Sequence, residues 1–445
     1  MKFIKCLIFS LFFVVAGTNY VEAKVRDVIS IAEKSYFIDD DDRLWASGLE
    51  AYIDNMKPDY VGVSGEKYLT TPKVIAEDVR KFDFVADTQL ILKNDGTLLT
   101  YGGSDEVTYS LGQGEVKENY TPTVVLTEVK DADVLPGGLS VVALREDNSL
   151  WAWGNVWSVM GNNSKNPIGE PTFVMSDIEE MFEAYGVLYL HKSDDTWLAC
   201  GYGEENQPPT ELNFNFEPQS IWWSGDFTLA LDKENNLWAW KNYTEATECT
   251  PFMVESDVKS AEAVADSLKT DKAFIVLKND GTLWLTDTNK KEKIADNLKG
   301  FRYYKYYYGS DTNVRNEYMY LDYNGELFFM PDYKSGKREI IMEDVKNFAS
   351  DKFDYWSQHM FVEKNDESLW VMGYNYGSLG MGKAGRDVKI PSQNLYNVES
   401  VETTTEITDI NLDELHKEEI PLRGALLALT VVVLGGIILW IAKRR

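Results

Sequence analysis

The chain has 445 residues, with 72 acidic against 44 basic side chains and a formal charge of −28. That length suits two or three ordinary domains or one large repetitive one, and 44% hydrophobic content excludes wholesale disorder. The acidic balance argues against nucleic acid as a partner, because phosphate binding needs clustered Lys and Arg.

Aromatics make up 13% of the chain, with 13 Trp and 25 Tyr against 3 His, which points to a β-rich protein; three cysteines cannot form a disulfide scaffold. Residues 1–23 carry Lys2 and Lys5, an apolar run from Cys6 to Ala16, and Val21-Glu22-Ala23 before Lys24. A basic start, a short apolar stretch and small residues before a cleavage point predict a signal peptide, and the run is too short to span a bilayer.

From Tyr36 onward one unit recurs eight times. Its marker apolar residue falls at Leu44, Leu98, Leu150, Trp197, Leu237, Leu283, Leu327 and Leu369, with gaps of 54, 52, 47, 40, 46, 44 and 42 residues. Two apolar runs flank a polar turn such as Asn94-Asp95-Gly96 or Asn279-Asp280-Gly281, as in a hairpin whose glycine takes the left-handed position. The second run, for example Leu237-Trp238-Ala239-Trp240, is apolar on both faces. A half-buried strand would alternate, whereas a blade covered by neighbours on both sides would not. The spacing fits one four-stranded propeller blade per unit.

A weaker signal precedes each hairpin: an apolar strand, an acidic corner and a new strand starting at Val, as in Val74-Ile75-Ala76-Glu77-Asp78-Val79. It supplies two further strands per blade. It recurs after the last hairpin, near Ile390-Pro391, whereas the first repeat opens directly at Asp27-Val28. This predicts ring closure in which residues 390–401 complete the blade whose hairpin centres on Asp41.

The motifs Gly225-Asp226-Phe227-Thr228-Leu229-Ala230-Leu231, Leu150-Trp151-Ala152-Trp153-Gly154 and Asn375-Tyr376-Gly377-Ser378-Leu379-Gly380 resemble the regulator of chromosome condensation repeat. The resemblance covers residues 25–402 and implies a β-propeller. Family members commonly have seven blades, against eight hairpins here, so the expectation is about eight four-stranded blades with seven as the alternative. Nuclear members exchange nucleotide on a small GTPase and touch chromatin. A secreted member covers β-lactamase active sites with its rim loops, which implies that the fold serves as an extracellular protein binder.

Candidate chemistry is sparse. The run Asp39-Asp40-Asp41-Asp42 lacks the spaced ligands of a calcium loop and sits at a hairpin turn, so a solvated turn is the better reading. His191, His359 and His416 have no metal or triad spacing, and the resemblance implies that His359 packs within its blade. Eight tryptophans lie in the hairpins and read as packing residues. The most binding-like stretch is Tyr303, Tyr304, Tyr306, Tyr307 and Tyr308, followed by a polar loop; an ordinary tyrosine-rich strand edge is the competing reading. Cys200 and Cys249 are one blade apart and form a candidate disulfide. No catalytic, cofactor-binding or metal residues are assigned.

Residues 403–422 hold Glu406, Asp409, Asp413, Glu414, Glu418 and Glu419 and read as an acidic stalk. Residues 423–445 contain 19 uncharged residues from Gly424 to Ala442, followed by Lys443-Arg444-Arg445. They read as a transmembrane anchor with a short basic cytoplasmic tail. The domains are therefore a signal peptide (1–23), a propeller (24–402), a stalk (403–422) and an anchor (423–445), with the propeller outside the cell membrane. The expected function is non-enzymatic binding of an extracellular protein or surface glycan through rim loops, with no cofactor, nucleic acid or small GTPase partner. The alternatives are a carbohydrate- or peptide-active surface enzyme using funnel carboxylates, and a structural spacer.

Overall fold

Local chemistry fixes the repeating hairpin. Between the second and third strands of every blade lies a four-residue turn, from 40–43 in the first to 365–368 in the last. In 94–97, Lys93 N donates to Thr97 O at 2.9 Å and Gly96 N to Lys93 O at 3.0 Å. The third turn residue is left-handed in all eight turns, but only Gly96, Gly281 and Gly325 are glycine; Asp42, Asn148, Asp195, Asn235 and Glu367 hold φ between 58° and 68°. Short polar side chains tolerate this region, so the glycine expected from two of the motifs is not general.

The turn aspartate is placed in one of two ways. In the first, it ends the second strand, and its carboxylate accepts turn amides: Asp39 from Asp41 and Arg43, Asp232 from Glu234 and Asn236. Trp45 and Trp238 then donate Nε1–H to it at 2.8 Å. In the second, Asp280 or Asp366 caps the turn, and Thr282 or Ser368 relays to Trp284 or Trp370 at 2.8 and 2.7 Å. The acidic run at 39–42 is thus a turn. Burial opposes ionisation of Asp39, yet Trp45 and Arg43 hold its carboxyl below its ordinary range.

The computed structural model describes residues 25–394 apart from 32–33, 50–55, 57–59, 62–66, 86, 104–108, 136–139, 157–165, 185, 202–208, 242–249, 265–270, 309–312, 351–358, 374–378 and 382–387. The expected signal peptide, stalk and anchor, with Cys249 and His416, lie outside the described residues. Among the described residues no helix is long and apolar enough to cross a membrane.

Eight antiparallel sheets follow one another in sequence, seven of them pairing their strands strictly in chain order. They occupy residues 25–76, 79–126, 129–175, 178–212, 218–255, 258–295, 298–342 and 345–393, numbered here as blades 1 to 8; blade 1 adds a two-residue edge strand, Tyr60–Val61. The chain is therefore an eight-bladed all-β propeller of four-stranded blades. All eight marker residues are buried. First strands of successive blades meet around the axis, as where Lys81 reaches Asp131 and Asp133 at 3.0 Å, and fourth strands form the largely exposed outer edge. Pro72, Pro122, Pro171 and Pro391 sit in outer strands at register shifts, where a missing amide costs no ladder bond and blunts the edge.

Two expectations need correction. The apolar strand before each acidic corner is the outer strand of the preceding blade rather than the leading strand of the next, so blade 1 lacks nothing. Correspondingly, Val388–Gln393 pairs with Leu369–Gly373 in its own blade and does not complete the blade around Asp41. The count of eight stands without strand exchange.

Packing and corner bonds join the blades instead. At six of the seams between successive blades, the carbonyl of the left-handed turn residue accepts the first amide of the next blade, as from Val79 N to Asp42 O at 2.7 Å, Val129 N to Gly96 O at 2.9 Å and Leu298 N to Gly281 O at 2.9 Å. Blade 5 begins at Pro218, which has no amide to give. At the closing seam, His359 Nδ1 meets Ser35 Oγ at 2.8 Å, and Phe361 lies 6.1 Å from Phe37. Leu379, fully buried in the tail motif, packs with Val28, Phe37 and Trp45 of blade 1. Leu111 plays the same part in blade 2, where Trp153 of blade 3 donates to Ser110 O at 2.9 Å.

Candidate loop-face site

Strand direction gives the propeller two unlike faces. One carries the four-residue turns and the corners between blades, which are two residues long except at 213–217. It also carries both described ends, because Val25 pairs with Asp39 and Asn394 N donates to Leu369 O at 2.9 Å. Apart from the corner 213–217, the connections that vary in length are on the other face. Links between first and second strands range from 32–33 to 264–273, and those between third and fourth strands from 287–290 to 50–66. The framework is repeated and the loops are not, which is the usual division between scaffold and recognition surface.

On this loop face blade 7 departs from the others. Its first strand, Leu298–Tyr308, has 11 residues where the other first strands have 6 or 7, and its second, Asn313–Asp322, has 10. The second strand pairs with the third only at Met319, Tyr320 and Leu321, so the outer part of the hairpin is a two-stranded ribbon. Its register pairs Tyr303 with Tyr318, Tyr304 with Glu317, Tyr306 with Arg315, Tyr307 with Val314 and Tyr308 with Asn313. Tyr304, Tyr306 and Tyr308 therefore share one ribbon face with Arg302 and Arg315, while Tyr303 and Tyr307 lie on the other. The structure brings the five sequence-chosen tyrosines onto one hairpin but splits them between its faces.

The ribbon is rooted in the seam with blade 6. Tyr318 donates to Ala263 O at 3.1 Å, and its ring lies 5.2 Å from that of Tyr303. Burial pushes the Glu262 carboxyl up to about 7, against the Arg302 guanidinium and the Tyr303 amide, which favour its ionised form. Tyr320 is buried with no hydrogen-bond partner for its hydroxyl among the described groups, and burial together with Glu262 raises its pKa. Arg302 is exposed and donates to Phe301 O at 3.0 Å.

A second titratable group lines the channel between blades 2 and 3. Burial and then the Asp133 charge push Asp83 up to about 8, while Lys81 pulls the other way. Burial opposes the Lys81 charge, but Asp133 and Asp131 hold its ammonium above the ordinary range. Among the described residues no group of three or more His, Cys, Asp or Glu could hold a metal ion.

The other sequence candidates are structural. His191 stacks on Trp197 at 4.6 Å, and His359 is buried in the closing seam. Trp153 and Trp240 are fully buried packing residues. Cys200 is buried, its thiol donates to Leu188 O at 3.7 Å, and burial pushes that thiol up to about 12. Its candidate partner Cys249 lies outside the described residues.

Sequence reasoning missed two features. The second residue of every first strand is a β-bulge, and it is basic at Arg26, Arg80, Lys130, Lys259, Lys299 and Lys346. Arg80 donates to Val129 O at 2.6 Å, Lys130 to Glu179 O at 2.7 Å and Lys259 to Lys299 O at 2.9 Å, so these cations clasp the next blade. Aligning the repeats on the blade-starting Val or Leu would have shown the pattern. The overhang of blade 7 was also missed, because strand length is not visible where tyrosines continue an apolar run.

No protein-family model matches the chain, and no curated protein matches it. Solved structures similar to it include yeast RCC1 (Prp20) bound to Kap60, at 13% identity and TM-score 0.40, covering 85% of this chain and 76% of that one. Human WBSCR16 is similar at 14% identity and TM-score 0.44, covering 82% of this chain and 94% of that one. BamB from Moraxella catarrhalis is similar at 11% identity and TM-score 0.42, covering 79% and 96%.

Proposed function

We propose that the chain is a surface-displayed, non-enzymatic β-propeller that binds an extracellular protein or other surface ligand through its loop-bearing face. The observation that carries this reading is the segregation of the variable connections, all but the corner 213–217, onto one face, opposite the turns and both described ends. Surface display is supported by the signal-like residues 1–23 and the apolar segment with its terminal basic triplet. An extracytoplasmic site and a charge of −28 speak against nucleic acid and small GTPases as partners.

A second reading, hydrolysis of surface polysaccharide or peptide, draws on Asp83, because a carboxyl pushed up by burial and by a neighbouring charge, here Asp133, is the pattern of a general acid. Against it, Asp83 is only 7% exposed and accepts the Phe84 amide, and Lys81 takes up Asp133. That is the bracing of two blades.

The test is capture of surface components by the full-length chain and by a variant with 304–312 replaced by a two-residue turn. Specific components should be lost with the ribbon. Equal capture, or turnover of surface polysaccharide or peptide by the intact chain, would contradict the reading.

A further inference from the structure

The seam between blades 4 and 5 ends on the loop face in an exposed aromatic ring. Trp223, the sixth residue of the first strand of blade 5, is 37% exposed. Phe84 and Val134 hold the same place in blades 2 and 3 and are buried. The other exposed large apolar residues lie in outer strands (Val124, Phe173, Met253 and Ile340), in a turn (Tyr323) or in the link 104–117 (Val116). Among the described residues, Trp223 is therefore the one large apolar side chain exposed on an inner strand. Local bonding explains the exposure. Strand alternation puts Trp223 on the side of Ile221, which packs with Ala184, Val187 and Tyr189 of blade 4. The link after Trp223 leans the other way, onto blade 6. Ala263 N donates to Ser224 Oγ at 2.7 Å, and a Cβ on Gly225 would lie 3.3 Å from Ala263 Cβ. On the blade 4 side the inner link, 185–186, has only two residues.

A single exposed apolar side chain is ordinary; a locked one is not. Trp223 Nε1–H donates to Gly225 O at 2.6 Å, so the indole has no donor left and offers a ligand only its face. A ring held before the ligand arrives loses no rotamer freedom on binding. Its neighbours narrow the ligand. A protein hot spot sits among apolar residues that exclude water. The residues exposed at the same strand ends are instead Gly225, Asp226 and Lys241, the last paired with Phe227. The negative face of an indole matches the C–H face of a pyranose, whose polarised C–H bonds carry partial positive charge. A carboxylate and an ammonium beside it can accept from and donate to sugar hydroxyls. The chain's charge of −28 disfavours an anionic sugar.

We propose that Trp223 is a stacking platform for a pyranose ring of a neutral surface glycan, with Asp226 and Lys241 bonding hydroxyls beside it. This deepens the loop-face reading, on which it rests, by naming a ligand class and the blade that holds it.

The experiment titrates the full-length chain by calorimetry with cellohexaose, chitohexaose and mannohexaose, and with hexagalacturonate as the anionic counterpart. At least one neutral oligosaccharide should bind, and hexagalacturonate should bind weaker by about tenfold or more. Trp223→Ala should weaken the neutral ligand by about tenfold or more, and Trp223→Phe, which keeps a smaller aromatic face, by less. In the parent chain the same ligand should slow oxidation of Trp223 by N-bromosuccinimide, read by mass spectrometry, which no folding defect of a variant can mimic. Binding of none of the neutral oligosaccharides, equal binding by Trp223→Ala, or unchanged oxidation of Trp223 would overturn the platform. Equal or tighter binding of hexagalacturonate would overturn the neutral class. If Trp223→Ala loses a captured surface protein and no oligosaccharide binds, the ring is a protein contact; the inference fails and the loop-face reading survives. If surface components are captured as well by Trp223→Ala and by the chain without the ribbon, the loop-face reading fails with it.

Discussion

Gly281→Val tests the joint between blades at a single atom position. Gly281 has φ of 81°, and a Cβ there would lie 3.1 Å from Tyr323 Cε2 and 3.2 Å from Leu298 O. Its carbonyl accepts Leu298 N, the first amide of blade 7. A β-branched residue in left-handed conformation costs about 1–2 kcal/mol, and the crowding by the Leu298 backbone cannot be relieved by a side-chain rotation. In a domain of this size each kcal/mol moves the melting temperature by about 1–2 °C. Gly281→Asn should be far milder, since Asn148 and Asn235 occupy the equivalent position at φ of 60° and 61°. Gly336→Val provides the comparison, because Gly336 has φ of 64° but nothing within 4 Å of its Cβ position, so it bears strain without a seam. Differential scanning calorimetry of the full-length variants should rank Gly281→Val as most destabilised, then Gly336→Val, then Gly281→Asn. If Gly281→Val melts with the parent, or no lower than Gly281→Asn does, the seam has no such role.

Leu379→Ala should destabilise by about 2–5 kcal/mol, because the side chain is fully buried against blade 1; denaturant melts check this, and a change within error would show that the tail motif does not close the ring. Asp83 has a carboxyl raised in the fold from 3.8 to about 8, so the native state holds the extra proton and stability falls as pH rises between those values. Asp83→Asn should flatten that fall and melt higher than the parent at pH 8 but not at pH 4; parallel pH profiles would show that Asp83 titrates normally. Protease added to intact cells should release a large soluble fragment by cutting within 403–422, and release only after lysis would contradict surface display.

Much of the propeller was legible in the sequence because its hairpins are local. Apolar runs around a polar turn identified all eight marker residues, and every one is buried. The phase of the blade was not legible. An apolar strand, an acidic corner and a Val-led strand read the same whether the first strand pairs forward or back, and only the pairing of Leu98 with Leu126 settles it. That ambiguity produced the mistaken closure by 390–401. The tyrosine stretch was recognised from composition, but its division between two faces depends on the register of Tyr304 with Glu317, which long-range pairing sets. Asp83 and Glu262 carried no signal at all, since their pKa values arise from burial between blades.

The most direct measurement of the central claim is amide hydrogen exchange of the full-length chain, free and bound to the surface component that it captures. Binding through the loop face predicts slowed exchange at Tyr304–Tyr308 and in the variable connections between third and fourth strands. The turn amides at 94–97 and 279–282 should be unchanged. Slowing confined to those turns and corners would place the ligand on the opposite face and contradict the account.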